Sequence, residues 1–159
     1  MAIQIRQATF ADYPHVASVA RESQDIHQQA HPDIFQEDTP GFSEDYFATQ
    51  LANPQATILV AEQDAQFIIG YAFLQIRQLA HLDIFIPQLI AELTDIAITA
   101  SQRSQGIGQK LFDASRQWAK SQQADRLELM VWEFNGKART FYERNGMQTL
   151  ARTMSLPLT

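Results

Sequence analysis

The sequence predicts an α/β fold built on a mixed sheet. Segments with strand-like alternation and segments with a helical period succeed one another in the order β-α-α-β-β-β-α-β-α-β. The second half contains a strand-helix-strand unit, which calls for a right-handed crossover between parallel strands. Two earlier strands are joined by the short turn from Asp64 to Gln66, a hairpin signal that adds antiparallel pairing. The length of 159 residues, 45% of them hydrophobic, suits one domain with a sizeable core.

Residues 2–8, AIQIRQA, alternate and read as the first strand. Thr9 followed three residues later by Asp12 is a helix-start box, and Tyr13, Val16, Ala17 and Ala20 then share a helical face. That helix runs to about residue 29, where Pro32 ends it. HPDIFQEDTPGF is a loop, and Ser43 caps a second helix, EDYFATQLAN. ATILVAEQ and FIIGYAFLQIR form the hairpin, and LIAELTDIAIT is a further strand reached through an irregular stretch over residues 79–88. A turn with two glycines opens a helix over about residues 106–121, with Ile107, Leu111, Ala114, Ser115 and Trp118 on one face. RLELMVWEF reads as a strand, Asn135 caps the helix GKARTFYER, and Gly146 stops it as a C′ glycine. MQTLARTMSLPL reads as the last strand. No repeat or linker divides the chain, so one domain over residues 1–159 is expected.

Composition narrows the function classes. A formal charge of −6 argues against broad nucleic-acid binding. Without cysteine there is no disulfide framework and no thiol nucleophile, which is compatible with a cytoplasmic setting. The N-terminal MAIQIRQATF lacks the pattern of a signal peptide. The most apolar run, LDIFIPQLIAEL, is broken by Pro87 and charges and is too short to span a bilayer. A soluble protein without a membrane partner is expected.

The stretch SQRSQGIGQKLF, residues 101–112, carries the chemistry. A strand, a turn with Gly106 and Gly108, and a helix place free backbone N–H groups at a helix N-terminus, which attracts anions and phosphate above all. Arg103 adds positive charge, and glycine leaves room for a phosphate to approach the backbone. A P-loop requires Lys and then Ser or Thr directly after its last glycine; here Gln109, Lys110 and Leu111 follow. A dinucleotide fingerprint needs glycine at position 111, which is Leu111, and belongs to the first strand-helix unit of a domain. A plain connecting turn is the bland alternative.

The run Arg103-Ser104-Gln105-Gly106-Ile107-Gly108 resembles the R/Q-x-x-G-x-G/A signature of the Gcn5-related N-acetyltransferase (GNAT) superfamily. The similarity extends to LTDIAIT before it and to LELMVWEFNGKARTFYERNGM after it, with Asn135, Ala138, Phe141, Tyr142 and Gly146 in register. It is clear over about residues 89–154. Met147 stands where the family usually has Phe, and Ala100 where many members have Pro. The resemblance implies a mostly antiparallel mixed sheet, helices on both faces, and strands 4 and 5 splayed apart. It implies an N-acetyltransferase that moves the acetyl group of acetyl-coenzyme A directly to a small-molecule or protein amine. Family members often pair as homodimers. A coenzyme A-binding sensor without transfer activity and a non-acyl nucleotide-binding protein are the rivals.

Further implications concern residues. The amides of Arg103 to Gly108 would hold the pyrophosphate. Ile96, Ala97 and Ile98 would receive the pantetheine arm as an added strand would, with the Ile98 N–H near the acetyl carbonyl. Asn135 and Ala138 are cofactor contacts, and Tyr142 protonates the departing thiolate, a role suited to a phenol that stays protonated near neutral pH. Glu92 is the candidate general base, with Asp95 or water as alternatives. By period-two alternation Glu92, Thr94 and Ile96 share one face, and Asp95 and Ala97 the other.

On the acceptor side, the resemblance places the first two helices and their loop at the cleft, which makes His27, His31, Phe35 and Tyr46 candidate substrate contacts; Phe42 could join them. His27 and His31 have the spacing of a zinc pair but lack the following glutamate and a third ligand, so no metal is expected. Asp33, Glu37, Asp38, Glu44 and Asp45 make the same loop acidic. If that loop faces the cleft, it favours a cationic amine.

Overall fold

A computed structural model describes residues 2–79 and 82–159. Positions 80 and 81, within the irregular stretch expected over 79–88, lie outside the described residues. The chain divides into two compact units, one reaching Leu129 and one beginning at Met130.

The first unit holds a five-stranded sheet in sequential order: β1 (Ile3–Gln7), β2 (Ala56–Gln63), β3 (Phe67–Gln78), β4 (Leu89–Ile98) and β5 (Arg126–Leu129). Strands β1 to β4 pair antiparallel and β4 pairs with β5 in parallel, so the sheet is mixed and mostly antiparallel. Strands β2 and β3 turn at Asp64 and Ala65, both with positive φ (53° and 54°), the geometry that suits a tight hairpin to the twist of its strands. Three helices accompany the sheet: α1 (Tyr13–Ala30), α2 (Glu44–Ala52) and α3 (Ile107–Ser121). Ser43 Oγ accepts the Tyr46 N–H at 3.1 Å and so caps α2 as its sequence predicts.

Alternation along the strands sorts the core into two sides. Ile58, Val60, Tyr71, Phe73 and Ala97 pack with Val16, Val19 and Ala20 of α1 and Phe47 of α2. On the other side α3 comes so close that a methyl group on Gly70 would meet Ile98 Cδ1 at 2.6 Å and Leu111 Cδ1 at 3.1 Å. Gly70 therefore sets the approach of helix to sheet, a role alternation alone did not mark. Buried on α3 are Ile107, Leu111, Phe112, Ser115 and Ala119. Ala114 and Trp118, expected on that face, are half-buried, because the helix turns its stripe toward Phe112 and Ala119.

A charged knot fixes the start of the chain. Arg6 of β1 holds both oxygens of Asp12 (2.8 and 3.0 Å) and reaches Glu62 of β2 at 2.8 Å. Asp12 also accepts the Thr9 N–H at 2.7 Å, completing the expected box. The hydrogen-bonded Arg6 guanidinium, helped by the Thr9 amide and opposed by burial, holds the Asp12 carboxyl down at about 2.

The second unit has one regular element, α4 (Gly136–Arg144). Asn135 Oδ1 accepts the Ala138 N–H at 3.2 Å, as expected of a cap. Gly146 (φ 87°) closes the helix: its N–H bonds Glu143 O at 3.0 Å and the Met147 N–H bonds Tyr142 O at 3.1 Å, the two bonds of a Schellman motif. The strand expected over MQTLARTMSLPL is not among this unit's elements, and β5 ends at Leu129 rather than Phe134. A strand exists only against a partner backbone, and residues 130–159 offer none by themselves.

The Asp12 site yields the first test. With a folded value near 2 against an ordinary 3.8, its contribution is fully present above the ordinary value and is lost as pH falls through about 2. Asp12→Asn should lower stability by about 1–2 kcal/mol at neutral pH. It should also flatten the acid limb in that window, as read by urea unfolding across pH.

Candidate functional site

Two neighbouring features of the first unit form the candidate site: the outer edge of β4 and the turn that leads from it into α3.

The edge follows from pairing. The Thr99 N–H bonds Ile69 O at 2.9 Å, and Gly70 stands opposite Ile98, Tyr71 opposite Ala97, and Ala72 opposite Ile96. In an antiparallel ladder alternate residues turn their N–H and C=O toward the partner. Ala97 and Thr99 thus serve β3, while Ile96 and Ile98 turn their backbone groups to the other edge. Within this unit the β4–β5 ladder covers only Ile90 to Leu93. Arg103 Nε donates to Ile98 O at 3.0 Å and folds the turn back over the end of that edge.

Beyond Thr99 a short 3-10 turn, Ala100–Gln102, leads to Ser104 (φ 63°) and Gly106 (φ 80°), both left-handed. Gly106 is the N-cap of α3 and has open space around it. The reversal leaves the amides of Ser104, Gln105, Gly106, Ile107 and Gly108 without a hydrogen-bond partner among the described residues. Five adjacent donors at the positive end of a 15-residue helix make an anion cradle. Gln105 Nε2 bonds Ser101 O at 3.4 Å and stays within the turn.

On the α1 and α2 side of β4 the structure corrects the expected alternation. Phe73 pairs with Asp95 and Leu74 with Leu93, so Thr94 is an extra residue in a β-bulge. The bulge flips the phase: Glu92 falls on the face of Asp95, not on that of Ile96. Glu92 is engaged, with Arg77 Nε at 2.7 Å and Gln75 Nε2 at 3.1 Å, and Arg77 also bridges to Glu128 of β5 at 2.7 Å. Asp95 is half-buried and accepts the Tyr71 hydroxyl at 2.8 Å. Burial pushes its carboxyl above the usual range, against the opposing pull of the Tyr71 hydrogen bond, the nearby His27 and the Ile96 amide. Burial, and then the charge of Asp95, push the Tyr71 phenol well above its ordinary value. The Tyr71–Asp95 pair was not singled out from sequence, where Tyr71 is one more aromatic in an alternating strand.

The remaining candidates are placed as follows. His27 Nδ1 lies 2.8 Å from Ser23 O of its own helix, and its ring meets Phe35 edge-on at 5.3 Å. His31 Nδ1 lies 4.0 Å from Asp33. Tyr46 packs against Phe73 at 6.3 Å and is 42% exposed, whereas Phe42 sits inside the aromatic cluster, 5.0 Å from Phe73. Asn135, Ala138 and Tyr142 lie on or at the cap of α4 in the second unit, where the rings of Tyr142 and Phe141 meet at 5.4 Å. Among the described residues no cluster of His, Asp or Glu could hold a metal ion, and no helix is long and apolar enough to cross a membrane.

Comparison with known proteins gives the family and the fold. The model of the acetyltransferase (GNAT) family matches residues 19–147. The chain belongs to the GNAT family. It is 28% identical over 148 residues to the uncharacterised N-acetyltransferase YhfO of Bacillus subtilis, covering 92% of this chain and 90% of that one. A crystal structure of a mutant BH1408 protein from Bacillus halodurans superposes with a TM-score of 0.93 at 29% identity, over 98% of this chain and 99% of that one. The fold is shared with the aminoglycoside N-acetyltransferase AAC(6′)-Iy in complex with coenzyme A: TM-score 0.71, 17% identity, 98% and 94% covered. The GNAT family uses acetyl-coenzyme A and acts on amines.

Because nothing crowds Gly106, replacing it tests conformation and not sterics. Gly106→Ala should cost about 1–2 kcal/mol from the left-handed backbone alone. Urea unfolding measures this directly, and a neutral result would mean that the turn is not held at positive φ.

Proposed function

We propose that the protein transfers the acetyl group of acetyl-coenzyme A directly to an amine, and that both units act together as one acetyltransferase domain. The observation that carries this reading is the run of five amides without a partner among the described residues, beside a stretch of β4 past Leu93 that carries no β5 pairing within the first unit, in a chain of this family. The amides of Ser104 to Gly108, with Arg103, suit a diphosphate. The Ile96 C=O and the Ile98 N–H suit the amides of a pantetheine arm lying alongside β4, next to Ala97.

Transfer then needs four acts. The acceptor nitrogen must lose a proton, the thioester must be held, the carbonyl oxygen must be stabilised as charge develops, and the sulfur must leave. We assign the first to Asp95, directly or through one water. Its carboxyl combines a raised affinity for protons with a hydrogen-bonded fixed position, whereas Glu92 is neutralised by Arg77. The Ile98 N–H suits the carbonyl oxygen. The amine nitrogen bonds the carbonyl carbon, the carbon–sulfur bond breaks, and Tyr142 of α4 supplies the proton that the thiolate takes. Asn135 and Ala138 complete the cofactor side. With no cysteine in the sequence, a thiol-bound acyl-enzyme has no place in this route. On the acceptor side, His27, His31, Phe35 and Tyr46, with the acidic loop over residues 33–45, suit a cationic amine. A cytoplasmic setting goes with this reading.

Coenzyme A release measured across a panel of amines tests the proposal. Turnover with at least one amine is expected, and binding of coenzyme A without turnover on any amine would favour a sensor. Tyr142→Phe and Asp95→Asn should each lower the rate by about a hundredfold or more. Asp95→Asn should also leave stability at neutral pH unchanged or raised. A carboxyl whose folded value is raised has stability fully present at low pH and lost as pH rises through that value, so removing its charge relieves the fold. Loss of activity together with loss of stability would return Asp95 to a structural role and leave Glu92 or water as base.

A further inference from the structure

One buttress of the cofactor turn comes from a helix on the other side of the molecule's chemistry. Glu22 of α1 lies 77 residues from the turn, yet its Oε1 accepts the Thr99 hydroxyl at 2.8 Å and its Oε2 accepts the Ala100 N–H at 2.6 Å. These are the first two residues after β4. Thr99 is at the same time fixed to β3 through its own N–H, and Arg103 is fixed to Ile98 O. The way from β4 into the turn is therefore held from three sides, and Glu22 is the side that belongs to the acceptor helix. Beside it opens a shallow depression of about 450 Å³ between α1, at Glu22, Asp25, Ile26 and Gln29, and the turn from Thr99 to Arg103.

A carboxylate is an unexpected neighbour for a diphosphate cradle, because its charge opposes anion binding. Its two short contacts give it a different task. We propose that Glu22 is a positioning residue that locks the entry of the turn, so that the amides of Ser104 to Gly108 are aligned before the cofactor arrives. The proposal rests on the reading of that turn as the cofactor site. Prealigned donors spare the ligand the loss of entropy that ordering a loose turn would add. The charge is a drawback that the geometry outweighs.

Two substitutions separate geometry from charge. Glu22→Gln keeps an acceptor for the Ala100 N–H and an amide donor for the Thr99 hydroxyl, and it removes the charge. Glu22→Ala removes all three. If Glu22 acts through the clamp, Glu22→Gln binds coenzyme A as tightly as the unmodified protein or tighter in isothermal calorimetry. Glu22→Ala then weakens binding about tenfold and raises KM for acetyl-coenzyme A more than KM for the amine. If Glu22 mattered only by its charge, both variants would bind coenzyme A more tightly, which overturns the proposal, as does unchanged affinity in Glu22→Ala. A second arm needs no cofactor: in Glu22→Ala, amide hydrogen exchange should accelerate at Ala100, Gln102 and Arg103, the hydrogen-bonded amides of the turn's entry, with the rest of α1 unaffected. Should the unmodified protein fail to bind coenzyme A, the reading of the turn falls. The clamp is still judged by the exchange arm, where unchanged protection would refute it.

Discussion

Backbone donors that cannot be satisfied inside the chain are the constraint on which this structure turns. A helix always leaves its first amides unpaired. Here the left-handed residues Ser104 and Gly106 extend that deficit into five consecutive donors with no partner among the described residues. In a buried setting such a set would be destabilising. At the surface, beside Arg103 and at the positive end of α3, it is a place for an anion. The neighbouring features serve it. Gly70 lets α3 settle close to the sheet, Arg103 ties the turn to Ile98, and Glu22 ties its first residues to α1.

The second feature that organises the site is the bulge at Thr94. One extra residue lets a single strand do two things that strict alternation forbids. Below it, Glu92 lies in a charged ladder with Arg77 and Glu128 that joins β3, β4 and β5. Above it, Asp95 shares the same face but is bonded to Tyr71, next to the packed aromatic rings of Phe42 and Phe73. Two carboxylates three residues apart thus acquire opposite characters: one paired and neutralised, the other desolvated with a raised affinity for protons. That contrast, and not the mere presence of acid on the strand, is what sets Asp95 apart from Glu92.

Much of the architecture was legible in the sequence because its signals are local. Alternation marked β1 to β4 and a helical period marked α1 to α3. Ser43 and Asn135 announced their helices as caps, and Gly146 announced an end. The glycine turn could be read because its residue types answer directly to backbone geometry. The rest depends on contacts between distant segments. Nothing near Thr94 signals a bulge, which arises from register against β3, so the face of Glu92 was assigned wrongly. Glu22 meets Thr99 only after α1 has packed on the sheet, and no spacing rule connects residues 77 apart. Nothing around Gly70 in the sequence marks it as the place where α3 approaches the sheet. On α3, Ile107, Leu111 and Ser115 are buried as the period predicts, with Phe112 and Ala119 in place of Ala114 and Trp118. For the segment after Gly146, alternation could suggest a strand but not a partner.

The account stands on the turn and the β4 edge being one continuous binding surface for a single ligand. The direct test is a titration of nitrogen-15-labelled protein with coenzyme A, followed by amide chemical shifts. The largest changes should fall on Ser104 to Gly108 and on Ile96 and Ile98, all with the same dissociation constant. Changes concentrated elsewhere, with those seven amides unmoved, would contradict it.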